Sequence, residues 1–284
     1  MRVAVVGYAS LDYVVRLDSA PAPDRTSTIL SRAAQWPRLG GSPAYVAEAL
    51  VAGGGAEAIP ISWVGDDREG ERYRASLAER GVSVSGVGVR PGRTPICILA
   101  YEPDGGCHCL YDPGLRTAAE LDEGQRALIA AAEAVCITVG PARATREALA
   151  LAQASSPVAW VVKADPRAVP DDLAAALAAR ADAIIFSRGE AEFVDLAGGQ
   201  ALARPCVRIE TRGASEVAIR QNGGIHVVPV EAVETDDPTG AGDTFAGGFL
   251  AAWLSSADPH VAAKAGAAAA RAMLVGRARS AGAA

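Results

Sequence analysis

Residues Thr235–Leu254 read TDDPTGAGDTFAGGFLAAWL. An acidic turn at Asp236, Asp237 and Pro238 feeds the small-residue run Gly240, Ala241 and Gly242, and Asp243 then opens an apolar helix. Glycine lets the backbone come close to a ligand, and successive amides at a helix start suit an anion such as phosphate. A carboxylate is out of place there because it repels phosphate. Its presence points to handling a proton on the group that attacks the phosphate. Taken alone, Asp243 serves equally well as a carboxylate that stabilises the helix N-terminus.

Upstream of this stretch, Glu216 to Arg220 and Ile225 to Pro229 read as an antiparallel hairpin across Gln221-Asn222-Gly223-Gly224. Downstream, a last helix is expected over roughly Pro259 to Leu274. From Pro113 onward helix and apolar strand alternate: Glu120 to Ala132, Ala134 to Val139, Thr145 to Gln153, Val158 to Val162, Asp171 to Ala179 and Ala183 to Phe186. Such alternation implies parallel strands with helices on both faces. The strand ends carry polar groups: Asp165-Pro166-Arg167, Ser187-Arg188-Gly189-Glu190 and Thr211-Arg212-Gly213. Ligands of α/β sheets gather at those carboxyl ends.

Toward the N-terminus, Val3 to Gly7 reads as a buried strand with Asp12 just beyond it, placed to accept hydrogen bonds from hydroxyl groups or simply to make a turn. Leu39-Gly40-Gly41-Ser42-Pro43 reads as a loop feeding a helix to about Ala52, with Ser42 as N-cap and Pro43 at its first position. Residues 14 to 36 lack helical period, and Thr94 to Tyr101 with Cys107 to Tyr111 flank a hairpin turn. These two segments are expected to form a subsidiary sheet.

The chain has 284 residues, half of them hydrophobic, enough for a sizeable core. A formal net charge of −6 without any Lys/Arg cluster argues against a nucleic-acid or anionic-membrane partner. Five cysteines in an odd, unpaired arrangement, and an N-terminal run too short for a signal-peptide core, lead us to expect a cytoplasmic protein with reduced thiols. No apolar run reaches membrane-spanning length. GxxxxGK[ST], GxGxxG and G-x-S-x-G are all absent, and none of the three histidines has a triad-like setting.

Asp237-Pro238-Thr239-Gly240-Ala241-Gly242-Asp243 closely resembles the C-terminal signature D-T-x-G-A-G-D of the ribokinase-like, or PfkB, family of carbohydrate and nucleoside kinases. Other landmarks fall in order: Asp12, Gly40-Gly41, Val64-Gly65-Asp66-Asp67 with Gly70, Thr94, Glu190, and Thr211 with Gly213. The resemblance covers nearly the whole chain. It implies one domain over 1–284, a ribokinase-like three-layer αβα sandwich around a mainly parallel sheet of about nine strands. A small β lid would be formed approximately by 12–36 and 93–112, with its exposed edges able to pair two subunits as a homodimer.

The resemblance also implies a phosphotransferase with an alcohol group as acceptor. ATP would pass its γ-phosphate to a hydroxyl of a small sugar or sugar derivative; the alternatives are a nucleoside acceptor or a ligand-binding relative that has lost transfer. Asp243 looks like the general base, and the amides of Gly240, Ala241, Gly242 and Asp243 look like the anion hole. Asp12, Gly40, Gly41 and Tyr45 would hold the acceptor, and Ser187, Thr211 and Gly213 the nucleotide. Glu190 resembles the residue that organises Mg²⁺ through water. Asp237 and Thr239 match positions where some relatives bind a monovalent cation such as K⁺. Two positions depart from the family pattern. Tyr45 stands where the first signature carries asparagine, able either to stack on a ring or to fill the pocket wall, and Ser187 stands where the metal-side motif carries asparagine.

Overall fold

The computed structural model describes residues 1–116, 119–198, 205–221 and 223–281. Strand β1 (Arg2–Val6) starts the main sheet. The chain then leaves it for β2 (Ser10–Leu17), β3 (Ile29–Arg32) and β4 (Arg38–Gly40), and returns through helix α1 (Ser42–Ala52). Next come β5 (Glu57–Gly65), α2 (Arg68–Glu79) and β6 (Val87–Arg90), and a second excursion makes β7 (Ile96–Tyr101) and β8 (Cys107–Asp112). Regular alternation follows with α3 (Glu123–Ala130), β9 (Ala134–Ile137), α4 (Ala142–Leu151), β10 (Val158–Val161), α5 (Asp171–Arg180) and β11 (Ala183–Ser187). A 3₁₀ turn, Arg188–Glu190, leads into α6 (Ala191–Gly198), and then come β12 (Val207–Thr211), β13 (Glu216–Gln221) and β14 (Gly224–Pro229). Helices α7 (Ala241–Ser256) and α8 (Pro259–Ala281) close the fold.

The main sheet has nine strands in the order β14-β13-β12-β11-β10-β9-β1-β5-β6. It is parallel from β6 to β12, and β13 and β14 add an antiparallel edge. Side-chain alternation explains why its strands read as unbroken apolar runs. In β1, Val3 and Val5 enter one core while Ala4 and Val6 enter the other; Cys136 and Ile137 divide in the same way in β9, and Ile185 and Ile184 in β11. The first core packs against α1, α2, α7 and α8 through residues such as Leu50, Tyr73, Phe249 and Ala263. The second packs against α3 to α6 through Ile129, Ala148, Leu177 and Val194.

Gly247 and Gly248 set how closely α7 can be approached. A Cβ on Gly247 would stand 2.3 Å from the Val46 carbonyl of α1, and one on Gly248 2.6 Å from Ala269 of α8. Each glycine costs a helix about 1 kcal/mol relative to alanine. Direct contact between the three helices offsets that cost and carries α7 into the core.

The smaller sheet runs β3-β2-β7-β8, with β4 also paired to β2. Its junction with the main sheet is a compact hydrogen-bond knot. Asp67 caps α2 by accepting from the Gly70 amide at 2.9 Å, and it also takes the Thr94 amide at 2.9 Å and the Thr94 hydroxyl at 2.6 Å. The Thr94 hydroxyl oxygen in turn accepts from the Gly65 amide at 3.1 Å.

Several element limits differ from those expected. Asp12 lies inside β2 rather than in a turn after β1. α3 begins at Glu123, because Asp122 and Gln125 form a capping box that sets its start. α4 starts earlier, at Ala142 behind Pro141, and α8 extends to Ala281. Strand β6 was not expected at all, being a short glycine-containing segment at the sheet edge. Ser42 is not the N-cap of α1. That position is Gly41, at φ 84° where a Cβ would stand 2.4 Å from the Tyr8 carbonyl, so Ser42 is the first helical residue. In the β13–β14 turn, Asn222 lies outside the described residues. Among the described residues no helix is long and apolar enough to cross a membrane.

Candidate active site

Asp12 is buried in β2 at 3 % exposure, and it accepts hydrogen bonds from the Ser10 hydroxyl at 2.7 Å and the Tyr45 hydroxyl at 3.2 Å. Burial pushes its carboxyl above the ordinary range, while Ser10, the charge of Arg38, and Tyr45 pull the other way. β4 brings Gly40 directly beside it: a Cβ there would sit 2.1 Å from the Asp12 carboxylate. Any side chain at 40 would therefore displace the carboxylate.

Tyr45 on α1 is 7 % exposed. Gly240 lies against its ring, so that a Cβ at 240 would stand 2.7 Å from it, and the Arg277 guanidinium lies over the ring at 5.6 Å from the centroid. Burial raises the Tyr45 hydroxyl above its ordinary value, so it stays protonated and donates to Asp12. Of the two uses open to Tyr45 in the sequence, burial of this kind matches the filling of a wall.

Gly240 is the N-cap of α7 and adopts a left-handed conformation at φ 76°, which turns the chain sharply into the helix. The first amides of a helix have no intrahelical acceptor. Ala241 donates to the Pro238 carbonyl at 3.0 Å, closing the turn, and the first helical bond runs from Thr244 to Gly240 at 2.8 Å. Among the described residues no acceptor meets the Gly242 or Asp243 amide, and a Cβ on Gly242 would touch nothing within 4 Å. Of the run 240–243, only the Ala241 amide is thus taken up within the turn; among the described residues no acceptor meets the Gly240 amide either.

Asp243 is half-buried. Burial raises its carboxyl, the positive charge of Lys163 and hydrogen bonding from the Ser42 hydroxyl oppose that, and the negative charges of Asp12 and Glu190 add to it. Asp12, Ser42, Lys163 and Glu190 thus all act on Asp243, although they come from β2, α1, the segment after β10 and the turn after β11.

On the opposite side, the β11–β12 register sets Ser187 beside Thr211. Glu190 accepts from the Ser187 amide and hydroxyl, each at 2.8 Å and both on its Oε2 atom. The Thr211 hydroxyl donates to the Phe186 carbonyl at 3.3 Å. Gly213 turns at φ 61°, with nothing within 4 Å of where its Cβ would be. Carboxylate and hydroxyl are hard oxygen donors of the kind Mg²⁺ accepts, usually through retained waters. The residues present fit that ion.

Asp237 is a junction. Arg38 Nη1 donates to its Oδ2 at 2.6 Å and Nη2 to its Oδ1 at 3.4 Å, and the Thr239 amide adds a bond to Oδ1 at 3.2 Å. The smaller sheet grips the same loop twice more, through the Arg16–Asp236 ion pair and the Tyr101–Thr239 hydroxyl contact at 2.7 Å. From α8, Arg277 Nη1 donates to the carbonyls of Thr239 at 2.5 Å and Asp237 at 3.5 Å.

A family model described as pfkB family carbohydrate kinase matches residues 2–280. The chain belongs to this family. The kinase is 32% identical over 269 residues to the ATP-dependent ribose-1-phosphate kinase of Halopiger xanaduensis, spanning 91% of this chain and 86% of that protein. It is 28% identical over 267 residues to a nucleoside kinase of Methanothermobacter thermautotrophicus, spanning 89% and 82%. Its fold superposes on the nucleoside kinase of Methanocaldococcus jannaschii with a TM-score of 0.79 at 21% identity, covering 96% of this chain and 91% of that one. The kinase is a phosphotransferase with an alcohol group as acceptor, and the ribokinase-like αβα architecture holds throughout.

Three side chains at this candidate site were not singled out from sequence, Arg38, Lys163 and Arg277, and Ser42 was read only as a helix cap. Lys163 carried a faint signal, being one of only two lysines and following a strand. Arg38 and Arg277 carried none, since arginine is the chain's ordinary basic residue and their contacts cross 199 and 38 to 40 positions.

Proposed function

We propose that the kinase transfers the γ-phosphate of ATP to a hydroxyl of a ribose-type sugar or sugar derivative, held by Asp12 with Gly40 and Gly41 beneath a lid made by the smaller sheet. Asp243 takes the proton as the acceptor oxygen forms its bond to phosphorus, and ADP leaves. The Gly242 and Asp243 amides, at the positive end of α7, receive the charge on the transferring group. The observation that carries this reading is the position of Asp243 at an open helix N-terminus, within the electrostatic influence of the Asp12 carboxylate. A carboxyl raised toward neutrality by burial is a better proton acceptor than an ordinary one.

Mg²⁺, when bound, draws charge from the phosphates. Glu190 and Ser187 would hold it through water, with Thr211 and Gly213 on the nucleotide side. Lys163 supplies a further positive charge facing Asp243. A nucleoside acceptor is the second reading, favoured by the nucleoside kinase at 28% identity; with Tyr45 buried at 7 % exposure, any base would have to find its contacts elsewhere. The cytoplasm supplies ATP and suits five cysteines without a disulfide. A homodimer would form through the lid.

The test is ADP production with Mg²⁺ across ribose, ribose-1-phosphate, fructose and nucleosides. Turnover on a ribose-type acceptor is expected, and Asp243→Asn is expected to lower kcat by about 10²- to 10⁴-fold with little change in KM for ATP. Near-normal turnover of that variant would remove Asp243 from its role, and preference for nucleosides would replace the sugar reading by the second one.

A further inference from the structure

Just ahead of α7, the loop turns the carbonyl oxygens of Asp237 and Thr239 and the Asp237 carboxylate toward one point. These are the two residues that the family resemblance connected with a monovalent cation. The point is already taken. Arg277 Nη1 stands 2.5 Å from the Thr239 carbonyl, 3.5 Å from the Asp237 carbonyl and 3.9 Å from the Asp237 carboxylate. Three oxygens that would ligate a small cation thus face a guanidinium, whose ordinarily very high pKa is lowered by burial and the nearby Arg38 charge and held up by Tyr45 and Asp237. A metal ion among them would have to displace it or face its repulsion. The donor set does not fit K⁺.

The surroundings are built for this arginine. Its guanidinium lies over the Tyr45 ring at 5.6 Å from the centroid, within the range of a cation–π contact. Tyr45 is the departure from the family's asparagine, and its hydroxyl reaches Asp12 at 3.2 Å while its ring packs on Gly240. A second guanidinium, Arg38, satisfies the outer side of Asp237 at 2.6 Å. One aromatic ring therefore joins the acceptor carboxylate, the first residue of the anion-accepting turn and the internal cation.

Resting on the kinase reading above, we propose that Arg277 is a built-in substitute for the monovalent cation. It is a positioning residue that fixes the carbonyls of 237 and 239, and with them the Gly240 turn, and so makes the kinase independent of K⁺. Tyr45 completes the arrangement by holding the guanidinium over its ring.

The experiment compares K⁺ with tetramethylammonium at equal ionic strength, on the intact chain and on Arg277→Met, reading both turnover and melting temperature. The wild-type protein is expected to respond to neither ion, its kcat staying within about two-fold. Arg277→Met is expected to lose at least about ten-fold in kcat with a small change in KM for ATP, and to gain a melting temperature that rises with K⁺ as a vacated site binds it. Arg277→Lys, which keeps a tethered charge, is expected to remain indifferent to K⁺. Activation or thermal stabilisation of the wild-type protein by K⁺ overturns the proposal, as does an Arg277→Met protein that turns over normally in tetramethylammonium. If Arg277→Met does not fold, the wild-type and Arg277→Lys responses decide alone. The melting measurement needs no turnover, so a failure of the kinase reading is distinguishable from a failure of this one.

Discussion

The carboxyl of Asp243, the proposed base, is set by a balance of charges that single substitutions can tip. Burial, Asp12 and Glu190 raise its carboxyl, while Lys163 and Ser42 lower it. A base works when ionised, so kcat should fall as pH drops through this raised value, on a limb lying above that of an ordinary carboxylate. Replacing Lys163 by methionine removes a lowering influence. The acid limb of the kcat profile of Lys163→Met is therefore expected to move to higher pH, and an unmoved limb would show that Lys163 does not act on the base. Asp243 could be picked out as a candidate in the sequence because its neighbours Gly240 to Gly242 make a carboxylate at that position chemically odd. Lys163, Arg38 and Arg277 were not, because what makes each of them matter is a partner brought near by the fold.

Between elements, Asp67 joins α2 to the segment that leads into β7. Burial alone would raise its carboxyl, but hydrogen bonds from Thr94 and Gly70 hold it below the ordinary range. A depressed carboxylate stabilises the folded state above its unfolded value of 3.8 and loses that contribution as pH falls through its folded value. Asp67→Ala removes a helix cap and two bonds to Thr94 together. It is expected to cost about 1 to 2 kcal/mol, read as a lower melting temperature at neutral pH that converges with wild type in acid. An equal gap at both pH values would assign the loss to packing instead. The sequence placed Gly65, Asp67, Gly70 and Thr94 in order without saying why they belong together. The reason is a junction between two sheets, which no single-strand periodicity reports. Helix limits were misread for a related reason: the Asp122 capping box, Pro141 and the positive-φ Gly41 set them locally, and apolar period alone passes over such residues.

For the whole molecule, the smaller sheet leaves apolar side chains exposed. Asp12 pairs with Cys97 on the face toward the site, so Ile98 and Leu110, paired with each other, point the opposite way. These two are 38 % and 61 % exposed, and Ile29 and Leu30 on β3 are exposed as well. Apolar side chains on a thin sheet with free edges favour self-association. A dimer is expected in sedimentation at micromolar concentration, and Leu110→Glu is expected to shift it to monomer; a monomeric wild type would end the dimer reading. The layered architecture was readable because both-faced burial leaves unbroken apolar strands, as in Val3 to Val6. The exposed apolar side chains on β7 and β8 were not, since their exposure depends on which way the hairpin faces.

The Arg38–Asp237 pair joins positions 199 residues apart, while Asp12 and Tyr45 meet across only 33. Closing the longer span carries the larger loop entropy and requires the intervening strands to be in order first. During refolding the Asp12–Tyr45 contact should therefore mature ahead of the Asp237 loop and the Gly240 turn, and kinase activity should return only with the slowest phase, well after the helical signal has recovered. A nascent chain would fold most of its sheet while still chemically silent, becoming an enzyme when its last two helices dock.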